Sequence, residues 1–145
     1  MNFEEILSHY TGKRILITGG AGAIGSNLTK TLLKADPEKI IIIDNLSSGH
    51  QWLLPQDPRI QLIKGSILDN EKMTYAFSHK PHIVFHLAAH FANQNSVEHP
   101  QTDLLVNGLG TLKVLQYAHL TGTQRVVYAS SGCSIYGSDA PLPFK

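Results

Sequence analysis

The chain has 145 residues, of which 42% are apolar and 16% are charged, and it is therefore the size of one globular domain that can bury a core. A formal net charge of +1, with lysine and arginine spread along the chain, gives no support to nucleic acid as a partner. The single cysteine, Cys133, excludes an intramolecular disulfide, and without a signal-peptide pattern or a membrane-length apolar run we expect a cytoplasmic protein with no membrane partner.

Five apolar segments rich in β-branched residues predict strands, four of them strongly and the third more weakly. Their apolar character is continuous rather than alternating, which is typical of strands that are covered on both faces, as in a parallel sheet. The predicted strands are Arg14–Thr18, Lys39–Asp44, Arg59–Gly65, His82–Ala88 and Arg125–Ser130.

Helical periodicity appears between these strands, and a short helix that packs on the domain is predicted within the N-terminal "NFEEILSHY". The helix after the first strand has its apolar face at Ile24, Leu28, Leu32 and Leu33. A long helix from about Glu98 to Leu120 has its apolar face at Leu105, Leu109, Leu112 and Leu115. We expect the face of the long helix to lie in the core. Alternation of strands and helices predicts a doubly wound α/β fold with right-handed crossovers.

A glycine-rich turn, "ILITGGAGAIGSNL", joins the first predicted strand to the helix that follows it. Its glycines fit GxGxxG at Gly20, Gly22 and Gly25, or GxxGxxG if Gly19 replaces Gly20. Such a turn needs positive φ, allows close approach of a pyrophosphate, and directs the N–H groups of residues 23–25 at the phosphates. A tight strand-to-helix turn with no ligand is the alternative interpretation.

Asp44 strengthens the dinucleotide interpretation, because it ends the second predicted strand about 20 residues after Gly25. A carboxylate there can accept hydrogen bonds from both ribose hydroxyls of an adenosine. The segment "DNLSSG" contains no Arg or Lys that could receive a 2′-phosphate, which favours NAD over NADP. We therefore predict a Rossmann-type doubly wound parallel sheet with three α/β/α layers, at least five strands in the order 3-2-1-4-5, and NAD at the switch point.

Five motifs in chain order resemble those of the NAD-dependent epimerase/dehydratase family, the extended short-chain dehydrogenases/reductases that include UDP-glucose 4-epimerases. They are "TGGAGAIG", "DNLSSG", "HLAA", "NGLGT" and "SSGCSIYG". The resemblance covers nearly the whole chain from about Arg14. It implies a nucleotide-sugar epimerase that oxidises and re-reduces the sugar at C4 through a 4-keto intermediate.

The resemblance also implies which residues bind NAD. The residues implied to bind the pyrophosphate are Gly19, Gly22, Ala23, Ile24 and Gly25. Those implied at the adenosine ribose are Asp44 and Asn45, with Ser47, Ser48 and Gly49 near it, and those at the adenine are Ser66 and Ile67. Leu87, Ala88 and Ala89 are implied to line the nicotinamide ribose. At position 66 the family often has an aspartate, so Ser66 is a shorter and neutral partner. His90, Asn93 and Cys133 are the implied substrate residues.

The family's catalytic residues are a Tyr-x-x-x-Lys pair and a Ser or Thr that orients the substrate oxygen. None of the tyrosines in this chain has a lysine four positions later, so we expect an N-terminal fragment, residues 1–145, whose Rossmann domain is incomplete at its C-terminus. Gly132 stands where the family's hydroxyl residue is expected. We therefore rank Ser131 first, Ser134 second and Ser130 third as the hydroxyl partner.

Other functions share several of these features. A nucleotide-sugar 4,6-dehydratase or decarboxylase has the same opening motifs, and the fragment alone could be a non-catalytic NAD-binding module. A serine nucleophile lacks its G-x-S-x-G motif, and His86 with His90 does not form a metal pair because His86 is on a predicted strand. The loop around His90 is either part of the substrate pocket or simply solvated. The 98–120 helix is implied to form a homodimer in the full-length protein.

Overall fold

The computed structural model describes residues 2–91 and 93–130. Its strands are β1 (Arg14–Thr18), β2 (Lys39–Asp44), β3 (Ile60–Lys64), β4 (Ile83–His86) and β5 (Arg125–Tyr128). Its helices are α1 (Phe3–Ser8), α2 (Ala23–Leu32), α3 (Asn70–Ser78), α4 (Asn93–Glu98), α5 (Pro100–Asp103) and α6 (Thr111–Leu120), with a π-helical segment at Leu104–Gly110 and 3-10 turns at Leu33–Ala35 and Gln51–Leu53. The five strands are parallel and lie in the order β3-β2-β1-β4-β5, which confirms the predicted topology.

The isoleucine-rich strands lie in the middle of the sheet because their side chains are apolar on both faces. The register pairs Leu16 of β1 with Ile41 of β2 and with Val84 of β4, and all three side chains are fully buried. One face of the sheet packs on α3 and α6, and the other packs on α2 through Leu32. Two cores therefore lie on either side of one sheet, as the predicted α/β/α layers require.

The helix α2 differs from its predicted orientation at one end. Leu32 is buried, but Ile24, which lies on the same predicted face, is 74% exposed. Ile24 lies in the first turn of α2, beyond the ends of the strands that α2 covers. Helical spacing identifies a face of a helix and does not show how far along the helix that face remains covered.

The predicted long helix from Glu98 to Leu120 is interrupted at its start. The helix α4 ends at Glu98, and Pro100 begins α5, because proline suits the first turn of a helix and cannot continue one. From Pro100 the chain stays helical to Leu120 and passes through the π-helical segment. None of the helices in residues 2–91 and 93–130 has both the length and the apolar character of a membrane span.

The leucine face of this helix is also wrong as a predicted core face. Its four leucines, at positions 105, 109, 112 and 115, are 42–50% exposed. The buried face is a second stripe made of Gly110, Val114 and Ala118, whose small side chains let the helix approach the sheet and Ile67 closely. The helix has two apolar stripes, and the helical spacing of apolar residues does not show which of the two faces the sheet.

Side-chain hydrogen bonds centred on the buried His86 join β1, β4 and α6. His86 is 1% exposed, and its Nδ1 lies 2.6 Å from the Thr18 hydroxyl oxygen. Its Nε2 lies 3.0 Å from the hydroxyl oxygen of Thr111, the first residue of α6. Burial lowers the pKa of His86 from 6.5 to about 4, because the interior disfavours the charged imidazolium.

The glycine turn passes so close to the end of β4 that a side chain has no room there. Gly19 has φ +70°, and a Cβ at this position would lie 2.7 Å from the backbone nitrogen of Ala88. A Cβ on Gly25 would lie 2.5 Å from the carbonyl oxygen of Gly19. These neighbours are backbone atoms that cannot rotate away, so both positions require glycine.

Gly19→Ala tests this close approach, with Gly12→Ala as the matched control. Gly12 has φ +64° but nothing within 4 Å of its Cβ position, so its variant carries only the backbone strain of about 1 kcal/mol. We expect Gly19→Ala to lower the free energy of unfolding by roughly 1–3 kcal/mol more, because overpacking adds to the strain. Urea unfolding curves measure both values, and equal losses in the two variants would contradict the packing.

The depressed pKa of His86 predicts a loss of stability in acid. Between pH 6.5 and pH 4 the unfolded chain binds a proton at this histidine and the folded chain does not, so the free energy of unfolding falls as the pH is lowered. From pH 7 to pH 5 this loss is about 2 kcal/mol. We expect urea unfolding to show that loss in the wild type beyond the loss in His86→Gln. The same pH dependence in both proteins would contradict a buried neutral His86.

Candidate cofactor-binding edge

The carboxyl ends of the five parallel strands meet at one edge of the sheet, which we call the cofactor edge. It comprises the glycine turn after β1 (19–22) and the segments that follow β2 (45–50), β3 (65–69) and β4 (87–91). The strand order reverses between β1 and β4, and a crevice at such a reversal is the common ligand site of open parallel sheets. Every predicted cofactor residue lies at this edge or on the first turn of α2.

Three backbone N–H groups at the start of α2 donate to no acceptor among the described residues. They belong to Ala23, Ile24 and Gly25, and they precede the first helical hydrogen bond, which Ser26 N–H donates to the Gly22 carbonyl over 2.9 Å. Gly22 is the N-cap and has no side chain to cover these groups. Free N–H groups and the positive end of the helix dipole form an anion-binding site.

Asp44 fastens the end of β2 to the glycine turn. Its Oδ2 accepts a 2.8 Å hydrogen bond from Ala21 N–H, and its Oδ1 accepts one of 2.8 Å from Leu46 N–H. The side chain is 7% exposed. The carboxylate predicted to meet a ribose is therefore already fixed in orientation by two backbone donors, and each oxygen retains further acceptor capacity.

The segment after Asp44 is hydrogen-bonded to the same residue, Ala21. His50 N–H donates to the Ala21 carbonyl over 3.0 Å, so both sides of Ala21 are bonded to the β2 end. Asn45 Oδ1 accepts from Ser47 N–H over 3.0 Å, which forms a tight turn. Ser47 and Ser48 are exposed, whereas Gly49 is buried against Ala21.

The segment after β3 is held by α6. Ser66 is half-buried, and its Oγ accepts a 3.1 Å hydrogen bond from Leu68 N–H, while Ile67 is 4% exposed. Lys113 donates from Nζ to the Leu68 carbonyl over 2.6 Å and to Asn70 Oδ1 over 2.8 Å. A lysine on the helix thus replaces solvent as the partner of this turn.

The turn after β4 carries Leu87, Ala88 and Ala89, of which only Ala89 is exposed. Leu87 N–H donates to the Thr18 carbonyl over 3.1 Å, and Ala88 N–H donates to the Thr18 hydroxyl over 3.2 Å. Thr18 therefore binds two successive N–H groups of the turn. This arrangement holds residues 87–89 beside the glycine turn.

His90 is held through its backbone by Asn107 of the π-helical segment. Asn107 Oδ1 accepts from His90 N–H over 2.8 Å, and its Nδ2 donates to the His90 carbonyl over 3.0 Å. Asn107 Nδ2 also donates to Asp103, which in turn accepts a hydrogen bond from Ser96. The predicted substrate residue His90 is thus fixed within the cofactor edge.

The remaining predicted site residues fall partly outside the described structure. Ser131, Ser134 and Cys133 lie outside the described residues, and Asn93 is described only as the first residue of α4. Ser130 is exposed after the end of β5. The choice between the three serines therefore stays a prediction.

The residues that support this edge are not predicted by the sequence. The sequence places His86 in the "HLAA" motif and excludes it from a metal pair but predicts no role for its ring, whose two nitrogens both lie within hydrogen-bond distance of threonine hydroxyls. The one sequence feature that indicates such a role for His86 is its position inside an otherwise apolar strand. Asn107 and Thr111 belong to the "NGLGT" motif, from which no role follows for either, and no sequence pattern distinguishes Lys113.

Two features of the described residues fit a dinucleotide with no 2′-phosphate. The free N–H groups at the start of α2 suit a pyrophosphate, and the buried Asp44 carboxylate suits ribose hydroxyls and repels a phosphate. Within residues 2–91 and 93–130, no three His, Cys, Asp or Glu side chains are grouped as a metal site would require.

Comparison with known proteins agrees with this geometry. Residues 15–145 match the family model of the NAD dependent epimerase/dehydratase family. A UDP-glucose 4-epimerase of Mycolicibacterium smegmatis is 38% identical over 133 residues, which are 90% of this chain and 42% of that protein. A UDP-N-acetyl-alpha-D-glucosaminuronate decarboxylase of Bacillus cytotoxicus is also 38% identical, over 91% of this chain and 40% of its own length.

Solved structures share the fold closely. An epimerase from Methanothermobacter thermautotrophicus is 55% identical with a TM-score of 0.95, and the match covers 99% of this chain and 42% of that one. A UDP-glucose 4-epimerase from Thermus thermophilus, solved in complex with NAD, is 35% identical with a TM-score of 0.82 over 91% of this chain and 42% of that one. The chain thus spans about two fifths of the length of these relatives. It belongs to the NAD dependent epimerase/dehydratase family.

Proposed function

We propose that this chain binds NAD at the cofactor edge and forms the N-terminal, NAD-binding part of a UDP-sugar 4-epimerase. The observation that carries the proposal is the convergence of the free N–H groups of α2, the fixed Asp44 carboxylate and the 87–89 turn where the strand order reverses. Relatives named UDP-glucose 4-epimerase support the choice of reaction.

Each segment of the cofactor edge has a proposed role in this site. Residues 19 and 22–25 would bind the pyrophosphate, Asp44 and Asn45 the adenosine ribose with residues 47–49 beside it, Ser66 and Ile67 the adenine, and residues 87–89 the nicotinamide ribose. Because Asp44 also bonds the Ala21 peptide, the ribose and pyrophosphate contacts would depend on one another.

Epimerisation at C4 also requires a general base. Bound NAD would supply the acceptor and donor of the hydride at C4 of the sugar, and a base would take the proton of the C4 hydroxyl and return it. With no Tyr-x-x-x-Lys pair in residues 1–145, the base would belong to further sequence. Ser131 or Ser134 would orient the substrate oxygen, with His90, Asn93 and Cys133 near the sugar.

The half-exposed leucine face at positions 105, 109, 112 and 115 supports a further part of the proposal. An apolar stripe of this kind on a helix suits packing against another helix. We place the contact between two copies of the full-length protein on this face.

The cofactor assignment predicts selective binding. Titration calorimetry should show NAD binding at least about tenfold more tightly than NADP, because the buried Asp44 carboxylate repels a 2′-phosphate. Asp44→Asn should weaken NAD binding by about tenfold, since it removes charge-assisted hydrogen bonds. Asp57→Asn is the matched control, because Asp57 also accepts a backbone N–H but precedes β3 at the opposite edge of the sheet. Equal NAD affinity in the two variants would contradict the assignment.

The reaction assignment predicts different activities for this chain alone and for the complete gene product that contains it. The complete product should interconvert UDP-galactose and UDP-glucose, whereas residues 1–145 alone should bind NAD without turnover. Product analysis by NMR distinguishes epimerisation from loss of water or of carbon dioxide. A dehydrated or decarboxylated product would replace the epimerase with the corresponding enzyme of the same family, and turnover by the 145-residue chain would contradict its role as a part.

A further inference from the structure

The Thr18 hydroxyl has two hydrogen-bond contacts and only one proton. Ala88 N–H, which can only donate, lies 3.2 Å from Thr18 Oγ1, so the oxygen is the acceptor in that bond. The second contact is to His86 Nδ1 at 2.6 Å. The single hydroxyl proton is therefore available for the histidine ring.

Two neutral forms of His86 are possible, and the surroundings separate them. With the proton on Nε2, Thr18 donates to Nδ1, the Nε2–H donates to Thr111 Oγ1 at 3.0 Å, and every buried group is satisfied. With the proton on Nδ1, the hydroxyl proton of the fully buried Thr18 has no acceptor among the described residues. An unsatisfied buried donor costs free energy, so the first form is favoured. Thr111 is half-buried, and its own hydroxyl proton can reach solvent.

The Nε2–H tautomer of His86 determines how Thr18 binds the turn after β4. While Thr18 donates to His86, the lone pairs of its oxygen face the Ala88 N–H, and the Thr18 carbonyl holds Leu87 N–H at 3.1 Å. We propose that His86, held as the Nε2–H tautomer between Thr18 and Thr111, is a positioning residue that fixes residues 87–89 for the nicotinamide half of the cofactor. The second half of this statement rests on the proposed function, which assigns the turn to the nicotinamide ribose.

The tautomer can be tested without any ligand. In protein labelled with ¹⁵N at histidine, long-range ¹H–¹⁵N correlation spectra distinguish a ring protonated at Nε2 from one protonated at Nδ1. We expect the Nε2–H pattern for His86 at pH 7, with the signal assigned through its disappearance in His86→Gln. The Nδ1–H pattern, or rapid exchange between the two forms, would overturn the proposal.

The positioning role is tested by comparing two ligands, NAD and ADP-ribose, which lacks nicotinamide. In His86→Leu the ratio of NAD affinity to ADP-ribose affinity should fall by about tenfold, because a charge-free hydrogen-bond network of this size is worth about 1.4 kcal/mol. The ratio should be retained in His86→Gln, whose amide can accept and donate. His82→Leu is the matched control, since His82 Nδ1 accepts from Arg14 N–H at the opposite end of β1. Equal weakening of both ligands in His86→Leu, or an unchanged ratio, would overturn the role.

Thr18→Val gives a second approach if His86→Leu does not fold, because valine keeps the volume and removes the hydroxyl. We expect a fall in the ratio of at least about tenfold, because Thr18→Val also removes the acceptor of Ala88 N–H. The double variant should lose no more than Thr18→Val alone, since His86 acts on the turn only through Thr18. Additive losses would overturn the proposal. Failure of the wild type to bind either ligand would contradict the proposed function, while the tautomer measurement would still decide the state of His86.

Discussion

The structure depends on how Thr18 joins the ends of β1 and β4. The strand order reverses between these two strands, and there Thr18 bonds two successive N–H groups of the turn that leaves β4. Gly19, the next residue, lies so close to that turn that it has no room for a Cβ. The two halves of the sheet therefore meet through backbone contacts, and the position of one turn sets the position of the other.

The other turns of the cofactor edge are also held by hydrogen bonds from neighbouring segments. Asp44 and His50 hold the Ala21 peptide from the β2 side, and Asn107 and Lys113 hold the turns after β4 and β3 from the helical side. Each turn of the cofactor edge is bonded to an element that is itself packed on the sheet. A site built in this way is organised before its ligand arrives, which lowers the entropic cost of binding.

The sequence predicted the features that depend on neighbours in the chain. Continuous apolar runs identified all five strands, the doubly wound Rossmann-type interpretation gave their order, and the glycine turn with Asp44 predicted where the cofactor binds. Strand β4 (Ile83–His86) is shorter than the predicted strand His82–Ala88, because residues 87 and 88 leave the sheet and hydrogen-bond to Thr18. The leucine face was wrong because two apolar stripes share one helix. The support of the site could not be predicted, since His86 meets Thr18 across 68 positions and Thr111 across 25.

The central claim is that NAD binds at the cofactor edge, and amide chemical-shift mapping during titration with NAD tests it most directly. The account predicts the largest shifts at residues 19–25, 44–50, 65–67 and 87–90. It also predicts small shifts at the groove beside β3 that is lined by Trp52, Leu54, Ile60 and Leu62. Saturable shifts concentrated in that groove, with the glycine turn unaffected, would contradict it.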